Sequence, residues 1–340
     1  MSPLNALFVA ADGGPRETLS PIATHCGSPL VEVQNKQVER DEFWSGLFTA
    51  AHPELLVVGT SDTGRGRRTE SAARRTAAQM AIPIAAIEDF PGNFYDVPDG
   101  RAGLVVVESE FSRALNARKF SALCPQVIIV PPARYDPYRA RLVELRRATA
   151  ARWAAAENEL VLWAGQPETE DALRTLDIVL PLLRDRNVAL LFKAHPRDPG
   201  YRAGIYPKLF ASAGLRYRDV TGYTVAQALD LAPRLVITQF SSVAIESGFF
   251  GIPSLHVLLA NAGQARLFAK KGYPVPPVCL AGAAAVVSEE ALIAITLDRA
   301  LRDDACRATI IDYFDEYFKS SEPATPQLVQ VLASFASSSG

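Results

Sequence analysis

Cysteine is scarce in this 340-residue chain. The four, Cys26, Cys124, Cys279 and Cys306, form no CxxC pair and no Cys/His cluster. That spacing excludes a zinc site and a disulfide framework, and it fits a reducing, cytoplasmic setting. Long apolar runs are missing too: nothing approaches the roughly 18 residues of a membrane span. The start, "MSPLNALFVAADGG", has no basic leader and reads as a first strand rather than a signal peptide. Peripheral contact with the inner face of a cytoplasmic membrane stays open. Charge of one sign is also lacking. Thirty-five Lys and Arg against 37 Asp and Glu give −2, so no global basic field draws the chain to nucleic acid. The local cluster "GRGRRTESAARR" at 64–75 reads as a loop and a solvated helix face.

What is present is an ordinary globular composition, 49% hydrophobic and 21% charged, long enough for two domains. Short apolar runs at 5–10, 29–33, 55–59, 82–87, 103–109 and 126–131 alternate with helical patterns such as 67–80. This is the rhythm of parallel strands with helices on both faces. It breaks at "PPARYDPYRARLVELRRATAARWAAAENE", a Pro-rich turn followed by a charged helical pattern. It resumes with strands at 160–165, 188–194, 234–238 and 253–258, and the tail from 288 reads as helices. The expected fold class is α/β: two Rossmann-like doubly wound domains facing a cleft, with C-terminal helices. The expected division is 1–135, a linker helix over 136–155, a second domain over 156–305, and helices over 306–340 packing back on the first domain. Ligands in such sheets bind beyond the carboxyl ends of the strands.

Four strand-tip loops therefore carry the candidates. In "FVAADGGPRETLSPIA", Asp12 precedes Gly13 and Gly14, which let a backbone approach a ligand and expose N–H groups. The plain alternative is a tight turn with Asp12 near the helix cap. In "IAAIEDFPGNFYDVPDG" the strand delivers Glu88 and Asp89 together. Their repulsion raises the affinity of one for a proton, as a general base requires. The alternative is a solvated acidic turn. In "LFKAHPRDPG", Lys193, His195, Pro196 and Arg197 gather N–H donors that suit a phosphate. In "VITQFSSVAIESGFFGIP", Ser241 and Ser242 sit where a helix should begin, as cap, as phosphate ligand or as both. Glu246, one turn on, suits ribose hydroxyls. Gly165 and Gln166, ending the strand 160–165, join this set. One nucleotide explains the second-half residues together, with Asp89, Glu88 or Asp12 activating an acceptor from the first half.

These residues bring out a resemblance. The paired halves and long C-terminal helices resemble the GT-B glycosyltransferases. "AHP" at 194–196 and "SS" at 241–242 are similar to the HP and SS motifs of bacterial sialyltransferases and polysialyltransferases. Those enzymes carry two acidic residues followed by glycine. "EDFPG" at 88–92 departs from that, because Phe90 and Pro91 intervene. The resemblance implies that His195, Ser241 and Ser242 contact the phosphate of a CMP-linked sugar and that Asp89 is the base. CDP-glycerol transferases of the teichoic-acid type also show an HP loop and a later serine pair. UDP-N-acetylglucosamine 2-epimerases share the fold and a helix start like Ser242 with Glu246.

The leading expectation is an inverting glycosyltransferase that moves a sugar, for instance a nonulosonic acid such as sialic acid, from a nucleotide-activated donor to a glycan or lipid-linked acceptor. No DxD triplet appears, so no metal and no cofactor are expected. The alternatives are a nucleotide-sugar epimerase or hydrolase and a CDP-glycerol-type transferase. A further alternative is a non-catalytic partner that uses the apolar residues of 243–260 and 311–336 as an interface.

Overall fold

The computed structural model describes residues 4–32, 36–259, 272–319 and 321–339. Val33 of the second expected strand, and Ala260 and Ser320 of the two expected interface stretches, lie outside them. The chain forms two compact units. One is Met1–Pro137 with Glu322–Gly340, and the other is Tyr138–Ser321.

The first unit holds a six-stranded parallel sheet of β1 (Ala6–Ala10), β2 (Leu30–Glu32), β3 (Leu55–Val58), β4 (Ile84–Ile87), β5 (Leu104–Val107) and β6 (Gln126–Ile129), in the order β2-β1-β3-β4-β5-β6. The chain runs outward from β1 to β2 and then returns to the other side of β1. The loops after β1 and β3 therefore diverge at a switch point. Alternate side chains feed two cores. Phe8, Val57, Ala85 and Val106 pack with Leu19 and Ile22 of the helix Gly13–Cys26 and with Leu328 and Leu332 of the helix Ala324–Ser339. Val9, Val58, Ala86 and Val105 pack with Trp44, Phe48, Ala73 and Ala77 on the opposite face.

The second unit repeats the plan with β7 (Leu160–Ala164), β8 (Ala189–Lys193), β9 (Tyr217–Asp219), β10 (Leu235–Thr238), β11 (Ser254–Val257) and β12 (Ala285–Val287), in the order β12-β11-β10-β7-β8-β9. Its switch point lies between β7 and β10. Ala164 is in register with both Lys193 and Thr238, so the tips of β7, β8 and β10 end level.

Several expectations change. The edge strands β9 and β12 were not visible, because β9 is the exposed, mostly polar Tyr217-Arg218-Asp219 and β12 ends an Ala-rich stretch that gives no strand boundary. The helix Leu142–Ala155, expected as a linker, belongs to the second unit. So does the helix Asp304–Phe318. Arg146 clamps Asp315 through two bonds of 2.6 and 2.8 Å, and Phe314 packs edge-on against Phe249. Only 322–340 joins the first unit, where the Asp136 carboxylate accepts from the N–H groups of Ala324 and Thr325 at 2.9 and 2.7 Å. The apolar stretches offered as an interface are largely core: Val243, Phe249, Phe250, Ile252, Phe314, Phe318, Leu328 and Leu332 are buried. The stretch 64–75 is a solvated face only in part, since Arg65, Arg67 and Arg68 are exposed. In the helix Gly64–Gln79, Glu70 and Arg74 are buried. Among the described residues no helix is long and apolar enough to cross a membrane.

Candidate active site

In the first unit the three candidate acids have different surroundings. Asp12 caps nothing with its side chain. Its carboxylate crosses the switch point instead and accepts from the N–H groups of Asp62 and Thr63 at 3.1 and 3.0 Å and from the Thr63 hydroxyl at 2.8 Å. That ties the β1 and β3 loops together and occupies both oxygens. Glu88 is buried and equally committed. It accepts from the Phe94 N–H at 2.9 Å, from Asn116 Nδ2 at 2.8 Å and from the Ser112 hydroxyl. Burial raises its pKa.

Asp89 differs. Thr60 clamps it two ways, donating from Oγ1 to Oδ1 at 2.7 Å and accepting the Asp89 N–H at 3.2 Å. Asn93 Nδ2 adds a bond to the same Oδ1 at 3.2 Å. Oδ2 receives no hydrogen bond from another described residue, and it lies against Gly14, where a Cβ would come within 2.4 Å of it. The residue is 8% exposed, and burial raises the carboxyl's pKa. The Thr60 and Asn93 bonds and the Arg134 guanidinium work against that rise. A carboxylate held through one oxygen, with the other open, has the geometry of a proton acceptor.

The loop that carries Asp89 is no loose turn. Lys119 Nζ donates to the carbonyls of Gly92 and Phe94, and Arg74 to those of Tyr95 and Gly100 at 3.1 and 2.8 Å. Glu70 accepts from the Tyr95 hydroxyl at 2.7 Å and from Ser61 through both N–H and hydroxyl. Burial pushes the Glu70 carboxyl up to about 7. Glu70, Arg74 and Lys119 went unread in the sequence because helical spacing alone does not distinguish a buried charge from a solvated one. Glu108, buried just beyond β5, was also missed, although it follows the apolar run 104–107 as Glu88 follows 84–87. Its charge and that of Asp89 both act on Arg134.

In the second unit the HP loop leaves β8 beside the switch point. His195 Nδ1 accepts from the Arg197 N–H at 3.1 Å, so Nδ1 keeps its lone pair and Nε2 carries the hydrogen. Burial, then the Arg197 charge, lowers the ring's pKa and favours that neutral form. Pro196 and Arg197 are exposed. Lys193 is engaged elsewhere than expected: its ammonium donates to the carbonyls of Thr221 and Tyr223 and holds the loop after β9. Gly165 donates its N–H to the Lys193 carbonyl at 2.8 Å, and a Cβ there would stand 3.2 Å from the His195 nitrogen. Gly165 thus allows the β7 and β8 tips to close on each other, with Gln166 buried beside them.

Thr238 donates to the Ala164 carbonyl at 2.7 Å and accepts the Ser241 N–H at 3.2 Å. The Ser241 hydroxyl accepts the Val243 N–H at 3.3 Å, while Ser242, at the start of the two-turn helix Val243–Phe249, makes no capping bond. The capping role expected for Ser242 is therefore absent. Its hydroxyl is exposed and has no partner among the described residues. Glu246 accepts from the Tyr138 hydroxyl, and Tyr138 stacks on Phe249 at 5.7 Å. Asp198 was overlooked, though it is the most constrained group of the loop and only 1% exposed.

No protein-family model matches the chain, and no curated protein matches it. Solved structures do. The Methanocaldococcus jannaschii UDP-GlcNAc 2-epimerase in complex with UDP-GlcNAc and UDP aligns over 97% of this chain and 99% of its own, at 13% identity and a TM-score of 0.62. Acinetobacter baumannii MurG aligns over 97% and 99%, at 12% identity and a TM-score of 0.61. The wall teichoic acid polymerase TagF aligns over 98% and 89%, at 10% identity and a TM-score of 0.55. At such identities the likeness defines the architecture: two Rossmann-like units of the GT-B type.

Proposed function

We propose that the chain is a glycosyltransferase that draws on a nucleotide-activated sugar. One observation carries the reading. One unit holds a buried carboxylate with an open oxygen at its strand tips, and the other holds a loop of N–H and O–H donors at its switch point. The transfer is inverting and metal-independent. An acceptor hydroxyl attacks the anomeric carbon while its proton passes to Asp89 Oδ2. The bond from that carbon to the phosphate oxygen breaks, and the electron pair leaves with the phosphate. His195 Nε2–H, the hydroxyls of Ser241 and Ser242 and the Arg197 charge stabilise the departing anion. Glu246, oriented by Tyr138, takes the ribose hydroxyls. Glu88 and Asp12 hold loops rather than protons. The likeness to enzymes whose structures contain UDP-sugars, and to a wall teichoic acid polymerase, supports a nucleotide-linked donor. The HP and SS motifs favour a CMP-linked nonulosonic acid, passed to a glycan or lipid-linked acceptor.

Calorimetry with CMP, CDP and UDP tests the reading. Binding of at least one, lost in His195→Ala, is expected, and no binding at all would refute it. A second reading, a nucleotide-sugar epimerase or hydrolase, is favoured by Glu108, a second buried carboxyl at the strand tip next to Asp89. Turnover of a nucleotide sugar with no acceptor present would select it.

A further inference from the structure

Asp198 has more hydrogen bonds on its side chain than any proposed phosphate ligand, yet it is turned away from solvent. Oδ1 accepts from the Gly200 N–H at 2.8 Å and from the Thr169 hydroxyl, and Oδ2 accepts from the Tyr206 hydroxyl. The Asp198 N–H donates to the His195 carbonyl at 2.9 Å. Thr169 begins the helix Thr169–Asp185 that follows β7, and Tyr206 lies on the helix Ile205–Ala213. One carboxylate therefore joins the β7 loop, the β8 loop and a core helix. Tyr206 is itself anchored: its ring packs 4.7 Å from that of Phe192 on β8. The fit is tight as well, since a Cβ on Gly200 would fall 2.3 Å from Thr169 Cγ2.

The consequence reaches His195. Its ring accepts the Arg197 N–H only if residues 195–197 keep their turn; the Asp198 backbone N–H closes that turn, and the three bonds to its carboxylate fix where residue 198 sits. An imidazole with Nδ1 occupied in this way presents Nε2–H outward as a fixed donor. Without the turn the two tautomers and the ring rotamer are free, and the donor is no longer prepositioned.

We propose that Asp198 is the positioning residue of this site, setting the His195 ring so that Nε2–H meets a nucleotide phosphate. The phosphate part of the proposal rests on the functional reading above, whereas the control of the ring does not. Two measurements separate them. Nitrogen-15 NMR of the free protein reads the His195 tautomer, and calorimetry with CMP, CDP and UDP reads affinity. In the wild type we expect a single Nε2–H tautomer. In Asp198→Ala we expect mixed tautomers and affinity at least about tenfold weaker, comparable to His195→Ala. Asp198→Asn keeps the Oδ1 bonds and should recover most of both. Tyr206→Phe removes one bond and serves if Asp198→Ala does not fold. Its tautomer signal should broaden, with a loss of about threefold. A lower melting temperature with unchanged tautomer and affinity in these variants overturns the proposal. If the wild type binds none of the three nucleotides, the functional reading falls instead, and the tautomer signal alone decides whether Asp198 sets the ring.

Discussion

Gly14→Ala tests the assignment of Asp89 most directly. An alanine Cβ would sit 2.4 Å from Asp89 Oδ2 and 3.5 Å from its Cγ. An ordinary carbon–oxygen contact exceeds 3 Å, so the carboxylate or the helix start must shift by about 1 Å. Oδ1 resists the shift through its bonds to Thr60 at 2.7 Å and Asn93 at 3.2 Å. The backbone raises no objection, because Gly14 is not in the left-handed region and lies at the start of the helix Gly13–Cys26. Alanine gains about 1 kcal/mol over glycine in a helix, while overpacking costs about 1–3 kcal/mol, so stability should fall by no more than about 2 kcal/mol.

The effect on rate should be far larger, since displacing a reacting group by about 1 Å can cost about a hundredfold. The assay is initial rate with whichever CMP-, CDP- or UDP-linked donor the wild type consumes, set beside nucleotide affinity by calorimetry. Turnover should drop about a hundredfold with affinity within about twofold of wild type, the signature of a group that acts in the transition state. Gly13→Ala is the control, because a Cβ there meets nothing within 4 Å. Full activity in a folded Gly14→Ala protein, or an equal loss in both variants, would refute the role of Asp89 Oδ2.

Asp89→Asn should keep nucleotide affinity and lose about a hundredfold or more in turnover in the same assay. Asp12→Ala releases three donors that bridge two loops and should cost about 1–3 kcal/mol in urea denaturation; a cost near zero would contradict the bridge. Ser242→Ala should leave the melting temperature unchanged, since no cap is lost, and should weaken nucleotide binding several-fold, by about 1 kcal/mol. His256, fully buried, has its pKa pushed down from 6.5 to about 4. As pH falls below 6.5 the unfolded chain takes up a proton that the folded one refuses, so stability drops through that window by up to about 3 kcal/mol. Denaturation of wild type and His256→Leu at pH 7 and pH 4.5 should show a smaller pH dependence in the variant.

Ten of the twelve strands among the described residues could be read from the sequence because each is an apolar run closed by Gly, Pro or a charged residue. The two that could not, β9 and β12, are three-residue edges whose pairing comes from neighbours rather than from their own pattern. The strand-tip placement of the candidate residues was legible, but their partners were not. Strand-tip logic located Asp12, Glu88, Asp89, His195 and Ser241, because parallel sheets put ligands at carboxyl ends. It could not say that Asp12 would reach across to Thr63, or that Lys193 would turn to the Thr221 and Tyr223 carbonyls. Those partners lie 51, 28 and 30 residues away in the chain. The Ser242 cap failed for a local reason: Ser241 takes the Val243 N–H, and Ser242 itself already has helical backbone angles.

A buried ionisable group is costly unless bonded, so the count of its bonds separates scaffold from chemistry. Glu88 has three donors, Glu70 three and Asp198 three, and Lys119 gives to three oxygens. These groups hold two loops in place. Removing Glu70, Glu88 or Lys119 should be felt first in stability, whereas removing Asp198 should also reach the His195 ring. Asp89 departs from that pattern with one satisfied oxygen and one without a bond from another described residue, and His195 departs from it with a bond at Nδ1 and none at Nε2 among the described residues. In each unit a fully bonded carboxylate lies close in the chain to the half-bonded group, Glu88 beside Asp89 and Asp198 three residues from His195. That arrangement suits the roles proposed for Asp89 and His195: enough bonds to fix the orientation, and one hydrogen-bonding position left for a substrate.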